Sequence, residues 1–448
     1  GSARGDPDGC GMRSLAYQVV VVADDLTGSN DTGVQIVKRG LEAITAVDLA
    51  LARDALADGI VLDTESRSLS AENARAAVRE AARAVGSGTG ALIYKKIDST
   101  LRGHVGAELD ALAGELGPDR VVCVPAFPRS GRTTRNGIHF LHGIPIDRTE
   151  MAADPRNPVE TASLLAVLAR DGGPRFRHTE LDALRSGRIE HRPADRFLSF
   201  DCEEQEDLRR VVRAFRGSGE RILWCGSAGL AEALLSERFP AAAEAGDRHA
   251  NGSAPDVLTG GKGNGPVFSV IGSGSGVSRR QLERALASGE AHVVRLRPQA
   301  LLDSAARERE RIVRELEIGK TVSGHLVLTP LGLGAGGLVT SVKTGPHPRD
   351  AFPELLATFL ADVSAEFLRR NRVAGLFLTG GDTAIHVLRA IGARGLRLEA
   401  ELETGVVRTR LIGGAFEGVP VVTKAGGFGD DGTLVRSARL LAAQFRGR

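Results

Sequence analysis

Two kinds of residue cluster stand out along the 448-residue chain, charged clusters in its first half and glycine turns in its second. In VVVVADDLTGSNDTG an apolar run ends at Asp24 and Asp25, with Thr27, Ser29 and Asn30 just beyond. Adjacent carboxylates in that position suit binding of hydroxyls, binding of a metal, or work as a general base. Asp31 has a structural role open to it, capping the helix that carries Val34, Ile36 and Val37. The second cluster, ALIYKKIDSTLRGHVG, gathers Lys95, Lys96, Asp98, Ser99, Thr100, Arg102 and His104. Only 7 of the 58 basic residues are lysines, so an adjacent pair is conspicuous. Lysine and arginine there suit a substrate carboxylate or a transferred phosphoryl group. In LDTESRSLS, Arg67 is placed to clamp a carboxylate bidentately, although alone it would read as a surface arginine. The Pro-, Gly- and Arg-rich stretch from Val124 to Val159 reads as a lid or an interface. Its His139 and His142 have no acid or cysteine framework nearby, so no metal site is assigned.

The second half runs strand, glycine turn, helix three times. The turns are Gly272-Ser273-Gly274-Ser275-Gly276, Gly380-Gly381-Asp382-Thr383 and, after Lys424, Gly426-Gly427-Phe428-Gly429. Without a Cβ, glycine lets backbone N–H groups approach a ligand, and the following helix N-terminus adds partial positive charge. Together these form an anion site suited to phosphate. None of the three matches the P-loop pattern, and none gives a dinucleotide fingerprint with its distant acid. A mononucleotide or phospho-ligand site remains. With aromatics at 4%, an adenine slot would be mostly aliphatic.

The elements that must hold these clusters follow from hydropathy. Tyr17–Ala23 is a continuous apolar run of buried-strand type, and Gly59–Asp63, Ala91–Lys95, Arg120–Pro125 and Ile222–Cys225 follow it. Helical stretches such as Ala71–Val85 and Val105–Glu115 lie between them, which implies parallel βαβ units. From about Ala241 to Gly265 the pattern collapses into Gly, Ala, Ser and Pro, the signature of a linker or long surface loop. Strands then resume at Pro266–Ile271, His292–Leu296, His325–Thr329, Gly375–Thr379 and Val419–Thr423. The expected fold is α/β, two domains over residues 14–240 and 266–448 joined by 241–265, each a mostly parallel sheet flanked by helices, with the active site in the interdomain cleft. Ligands on such sheets sit at the carboxyl ends of the strands.

Composition narrows the function classes. Lys+Arg at 58 against Asp+Glu at 56 leaves +2, so no field favours nucleic acid or an anionic membrane. No run approaches 18 apolar residues, so no membrane span is expected. Four scattered cysteines form no C-x-x-C pair. Gly1-Ser2 reads as a cloning remnant, and residues up to about Arg13 are expected to lie outside the fold. With no basic-then-apolar leader, the expected compartment is the cytoplasm. No interface signature is visible, and a homodimer stays open.

Taken together, ADDLTGSNDTG, KKIDSTLRGHVGAEL, PAFPRSGRTTRNGIHFLHGIPI with DRTEMAADPRNPV, CGSAGLAEAL, GSGSGVSRRQ, LTGGDTA and TKAGGFGDDGTL resemble the four-carbon acid sugar kinase family, the D-threonate, D-erythronate and 3-oxo-tetronate kinases. The motifs occur in the family's order over about residues 17–435. The resemblance implies an N-terminal domain that binds the acid sugar and a C-terminal domain that binds ATP. By position, Asp24, Asp25, Arg67, Lys95, Lys96, Asp98, Ser99 and Thr100 would then meet the sugar acid. Ser273, Gly274, Ser275, Gly380, Gly381, Asp382, Thr383, Gly426, Gly427, Phe428 and Gly429 would meet the nucleotide. GSGSGVS departs from the family by having Gly274 and Gly276 where a bulkier residue or proline is expected. GGDTA and KAGGFG look more like the threonate and erythronate kinases than the 3-oxo-tetronate kinases.

The expected reaction is MgATP-dependent phosphorylation of the terminal hydroxyl of a four-carbon sugar acid, most simply D-threonate or D-erythronate. Mg²⁺ would bridge ATP phosphates and need few carboxylates. Asp382, Asp25 and Lys96 are the candidate catalytic residues, with Asp98 a rival base. The alternatives are a 3-oxo-tetronate 4-kinase, a non-catalytic sensor of a sugar acid or nucleotide, and an NAD-dependent dehydrogenase, which the missing fingerprint disfavours.

Overall fold

The computed structural model describes residues 17–86, 90–154, 156–189, 192, 194–240, 265–331 and 352–443. The expected linker, 241–265, lies outside these but for its last residue. The strands, in chain order, are β1 (Val19–Ala23), β2 (Ala43–Ala46), β3 (Gly59–Asp63), β4 (Leu92–Lys96), β5 (Arg120–Val124), β6 (Arg132–Arg135), β7 (Ile138–Leu141), β8 (Ile144–Pro145), β9 (Arg177–Thr179), β10 (Phe197–Phe200), β11 (Ile222–Gly226), β12 (Val267–Ile271), β13 (His292–Arg295), β14 (His325–Thr329), β15 (Gly375–Thr379), β16 (Gly395–Glu403), β17 (Val406–Ile412) and β18 (Pro420–Lys424).

Helices on both faces explain the continuous apolar runs. β1, β3, β5, β12, β14, β15 and β18 are buried along their whole length, as parallel strands covered on both sides must be. Helix Ala71–Val85 starts on the Ser70 side chain and buries only Ala74, Val78, Ala81 and Ala82, one stripe at helical spacing. Helix Val105–Leu116 packs beside it and ends at Gly117 with φ +58°. Among the described residues no helix is long and apolar enough to cross a membrane.

One difference from expectation matters. The two halves share a single 15-stranded sheet, ordered β13-β14-β12-β15-β18-β17-β16-β2-β3-β1-β4-β11-β5-β10-β9. All its pairings are parallel except β16 with β2, β16 with β17, and β17 with β18. The hairpin β16–β17 joins the halves, with Leu396 opposite Thr45 and Arg397 opposite Ile44. Pairing there satisfies two edges that would otherwise be open. The halves are therefore joined by a continuous sheet as well as by the chain connecting them.

Helix Leu26–Val37 reinforces the seam. It packs on β1, β2 and β3 of the first half and on β16, β17, β18 and helix Gly381–Ala390 of the second. Contact on both sides explains why it buries Gly28, Ser29, Asn30, Thr32 and Gln35 as well as its apolar residues. The Val124–Val159 stretch forms a small antiparallel sheet, β6-β7-β8, with short 3₁₀ turns. His139 within it is buried, its ring nitrogens against Thr134 Oγ1 and the Ser99 carbonyl at 2.9 Å each. Burial holds it neutral, with its pKa down at about 4. It is a core histidine.

Candidate active site

In the first half, β1 is flanked by β3 and β4, the point at which the strand order reverses. Crevices at such points, beyond the carboxyl ends of the strands, are where open α/β sheets bind ligands. Asp24 and Asp25 emerge there. Asp25, not Asp31, caps the helix: its backbone is extended and its Oδ1 accepts the Gly28 N–H at 3.0 Å. Asp31 instead lies inside the helix, where burial pushes its carboxyl up to about 6 against the pull of Lys96.

Arg67 does not point out as a free clamp. Its Nε and Nη2 reach Asp24 at 2.9 and 3.0 Å, and Nη2 reaches Asp25 Oδ1 at 2.6 Å. Two neighbouring carboxylates would repel each other, and the guanidinium lies between them as a shared cation. Burial alone would raise the Asp25 carboxyl, but Arg67, Lys96 and the Thr27 hydroxyl at 2.6 Å together pull it below its ordinary value.

The lysine pair splits across β4, because successive strand residues face opposite sides. Lys95 is fully buried under the sheet, 2.6 Å from Glu108, and does not line the crevice. Lys96 turns toward Asp25. A methyl group on Gly28 would stand 2.5 Å from Asp25 Oδ1 and 2.7 Å from Lys96 Nζ, so only glycine fits between them. Asp98 accepts from Thr100 and, at 2.6 Å, from Arg102; despite burial, Arg102 and Arg67 hold its carboxyl well below the usual range. Ser99 contributes its carbonyl to His139.

Two acids escaped the sequence reading. Asp63, paired with Ala23 in the ladder, ends β3, and Glu65 follows in a left-handed conformation at φ +49°. Asp63 is buried and Glu65 half-buried beside Asp25, and the two carboxyl groups hydrogen-bond to each other. Burial raises the Asp63 carboxyl to about 7, and burial with Asp63 alongside lifts Glu65 well above its ordinary value. The signal was available: LDTE ends a strand in acid just as VADD does.

In the second half the three glycine turns converge. β12 lies between β14 and β15, again where the order reverses, and β18 is next to β15. A Cβ on Gly272 would lie 1.7 Å from Thr383 Oγ1, and one on Gly380 3.0 Å from the Ser273 nitrogen. Ser275 caps helix Gly276–Ala287 and donates to the Gly426 carbonyl at 2.6 Å. Lys424 holds the third turn from below. Its Nζ, fully buried, donates to the carbonyls of Ala425, Gly426 and Phe428 at 3.1, 2.9 and 3.2 Å. Burial outweighs the opposing pull of Glu403 and brings its pKa down to about 7. Three carbonyls nevertheless match the three donors of an ammonium.

The two groups face each other. A Cβ on Gly381 would stand 3.3 Å from Asp25 Oδ2 and 3.8 Å from Thr27 Oγ1. Asn30 bridges the halves, donating to Thr423 Oγ1 at 3.0 Å and accepting from Thr45 at 2.8 Å. Arg132 lies over the Phe428 ring, 5.7 Å from its centroid. Arg156 reaches Asp382 at 2.5 Å and Glu354 at 3.0 Å. Among the described residues no group of three or more His, Cys, Asp or Glu is arranged to hold a metal.

This division matches known families. Residues 19–234 match the family described as sugar-binding N-terminal domain, and residues 268–434 the nucleotide-binding C-terminal domain. A D-threonate kinase of Salmonella typhimurium is 32% identical over 427 residues, covering 93% of this chain and 96% of the relative. A D-erythronate kinase of Heliobacterium modesticaldum is 31% identical over 91% of this chain and 93% of its own length. A 3-oxo-tetronate kinase of Methylobacterium radiotolerans is 29% identical over 94% of this chain and 98% of its own. The fold is shared with a solved Salmonella typhimurium structure described as a putative tRNA synthase, with TM-score 0.73 at 20% identity over 94% of this chain and 99% of that one.

Proposed function

The chain belongs to the four-carbon acid sugar kinase family, and from that premise we propose that it transfers the γ-phosphoryl group of ATP to the terminal hydroxyl of D-threonate or D-erythronate. The observation that carries this reading is the approach of Asp25 to Gly381, which sets the charged crevice of one half against the glycine turns of the other. Identities of 31–33% to the threonate and erythronate kinases, against 28–29% to the 3-oxo-tetronate kinases, favour the first two acids.

Phosphoryl transfer asks a protein mainly for positioning and for neutralisation of charge. Lys96, whose Nζ donates to the Ile97 carbonyl at 2.9 Å and faces Asp25, meets the substrate carboxylate. Arg67, already shared by two aspartates, orients them. Asp25 binds the attacking hydroxyl and takes its proton. Its lowered pKa keeps it ionised, and in a loose transition state the proton leaves late, when the hydroxyl has become acidic. Ser273, Gly381–Thr383, Gly426, Gly427 and Gly429 present backbone N–H groups to the phosphates, while the N–H groups of Gly380 and Phe428 bind the Lys424 and Ala425 carbonyls and, with Lys424, keep the turns in shape. The residues fit a Mg²⁺ carried in by the nucleotide: such an ion keeps its waters and needs one or two carboxylates, and Asp382 is an exposed one at the phosphate turn. When bound, it would neutralise charge on the phosphates. We take the cytoplasm, where ATP is kept, as the compartment.

The test is ADP release with MgATP across D-threonate, D-erythronate, their L-isomers and 3-oxo-tetronates. Turnover on D-threonate or D-erythronate supports the reading. Exclusive turnover on a 3-oxo-tetronate would correct the substrate, and binding without turnover on any acid would leave a sensor.

A further inference from the structure

Arg156 belongs to the Arg-rich stretch expected to act as a lid or an interface, and its side chain reaches from the acceptor half to the glycine turns of the other. It sits on a turn built by Asp154, whose Oδ1 accepts the N–H groups of Arg156 and Asn157 at 3.0 and 2.8 Å. That turn is fastened twice to the acceptor crevice. Asp154 Oδ2 accepts from Arg102 at 2.9 Å, and Arg102 in turn binds Asp98. Asn157 donates to Ser68, next to Arg67, at 3.0 Å. From this anchored turn the guanidinium crosses to the other half and ends at Asp382, in the first turn of the helix that follows Gly380.

Its present partners hold it loosely. The Asp382 and Glu354 side chains are 51% and 59% exposed, and ion pairs of that kind contribute little. Glu354 keeps His386 Nε2 at 3.0 Å when Arg156 leaves. A phosphoryl group at the Gly380 turn would offer a planar, charged fork of donors a better set of acceptors.

Resting on the kinase reading, we propose that Arg156 is a catalytic residue, delivered by the acceptor half to the transferring phosphoryl group. As the acceptor hydroxyl oxygen bonds to the γ-phosphorus, the bond from that phosphorus to the β–γ bridging oxygen breaks and ADP leaves. The hydroxyl proton passes to Asp25. Arg156 donates to the equatorial oxygens of the phosphoryl group throughout, exchanging Asp382 and Glu354 for them. Because its turn hangs from Asp98 and Ser68, the arginine is in place when the acceptor crevice is formed.

The test compares the unsubstituted protein with Arg156→Ala and Arg156→Lys in steady-state phosphorylation and in calorimetric binding of D-threonate and D-erythronate. Arg156→Ala should lower kcat about 10³-fold, leave acid affinity unchanged, and regain part of its rate when methylguanidine is added. Arg156→Lys should recover little, since an ammonium lacks the fork. A kcat for Arg156→Ala within about threefold of the unsubstituted protein would overturn the proposal. So would a loss of rate that methylguanidine does not relieve and that a loss of acid affinity accompanies, because the turn would then be structural. Absence of turnover in the unsubstituted protein would remove the kinase reading itself, a result distinct from either.

Discussion

Gly28→Ala separates positioning from stability within one residue. Gly28 is the third residue of helix Leu26–Val37, and alanine there gains about 1 kcal/mol of helix propensity. The added methyl carbon would lie 2.5 Å from Asp25 Oδ1 and 2.7 Å from Lys96 Nζ, well inside contact distance. Both atoms must retreat by most of an ångström. Asp25 then loses its cap bond to residue 28, a cost of about 1 kcal/mol, so propensity and capping nearly cancel. Function does not cancel, because misplacing a reacting group by about 1 Å costs about 10²-fold in rate. The expected result is kcat/KM down about 10²-fold on the acid that is turned over, with a melting temperature close to that of the unsubstituted protein. Gly33→Ala is the control on the same helix: its methyl would meet Leu398 at 2.3 Å and Val61 at 3.0 Å, in the core between the halves. It should cost about 1–3 kcal/mol by overpacking and leave kcat per folded molecule unchanged. Coupled ADP release and thermal melts read both. If Gly28→Ala keeps kcat/KM within about threefold and melts normally, Asp25 and Lys96 do not position the substrate.

Three further outcomes are expected. Asp25→Asn preserves the helix cap, since asparagine caps as well as aspartate, but removes the proton acceptor, and kcat should fall about 10²–10⁴-fold; an undiminished kcat would move the base elsewhere. Lys424→Met leaves the buried carbonyls of the third turn unpartnered, at a cost of about 1–3 kcal/mol, and should raise KM for ATP far more than KM for the acid; an equal rise in both would sever Lys424 from the nucleotide side. Asp63, whose carboxyl is raised to about 7 in the fold from 3.8, binds more protons folded than unfolded between those values. Its contribution is therefore favourable below about pH 4 and lost as pH rises through 7. Asp63→Asn should be more stabilising at pH 8 than at pH 5 by denaturant titration, and a pH-independent difference would contradict the burial argument.

Much of this was legible without coordinates, because buried parallel strands and glycine turns leave local marks. The expected strands at Gly59–Asp63, His325–Thr329 and Gly375–Thr379 coincide with β3, β14 and β15, and the three glycine turns stand at strand ends as expected. The split of Lys95 from Lys96 follows from strand alternation and was readable in principle. The hairpin β16–β17 was missed, although its alternating apolar and charged residues are a strand pattern; what no local pattern contains is its pairing with β2, which fuses two sheets into one. Capping by Asp25 instead of Asp31 depended on where the helix begins, and helix ends are set by the packing around them. Arg67 looked like a free clamp because sequence shows a charge but not its partners. For the same reason Asp63 passed unnoticed and Arg156 was read only as part of an Arg-rich stretch: Asp63 answers to Asp25, 38 residues away in the chain, and Arg156 to Asp382, 226 residues away. Composition and period determined the elements and the two chemistries each half offers. Tertiary structure decided which charges neutralise each other and which face the cleft, since Coulomb interaction and desolvation depend on distance and burial, and neither is written in the order of the residues.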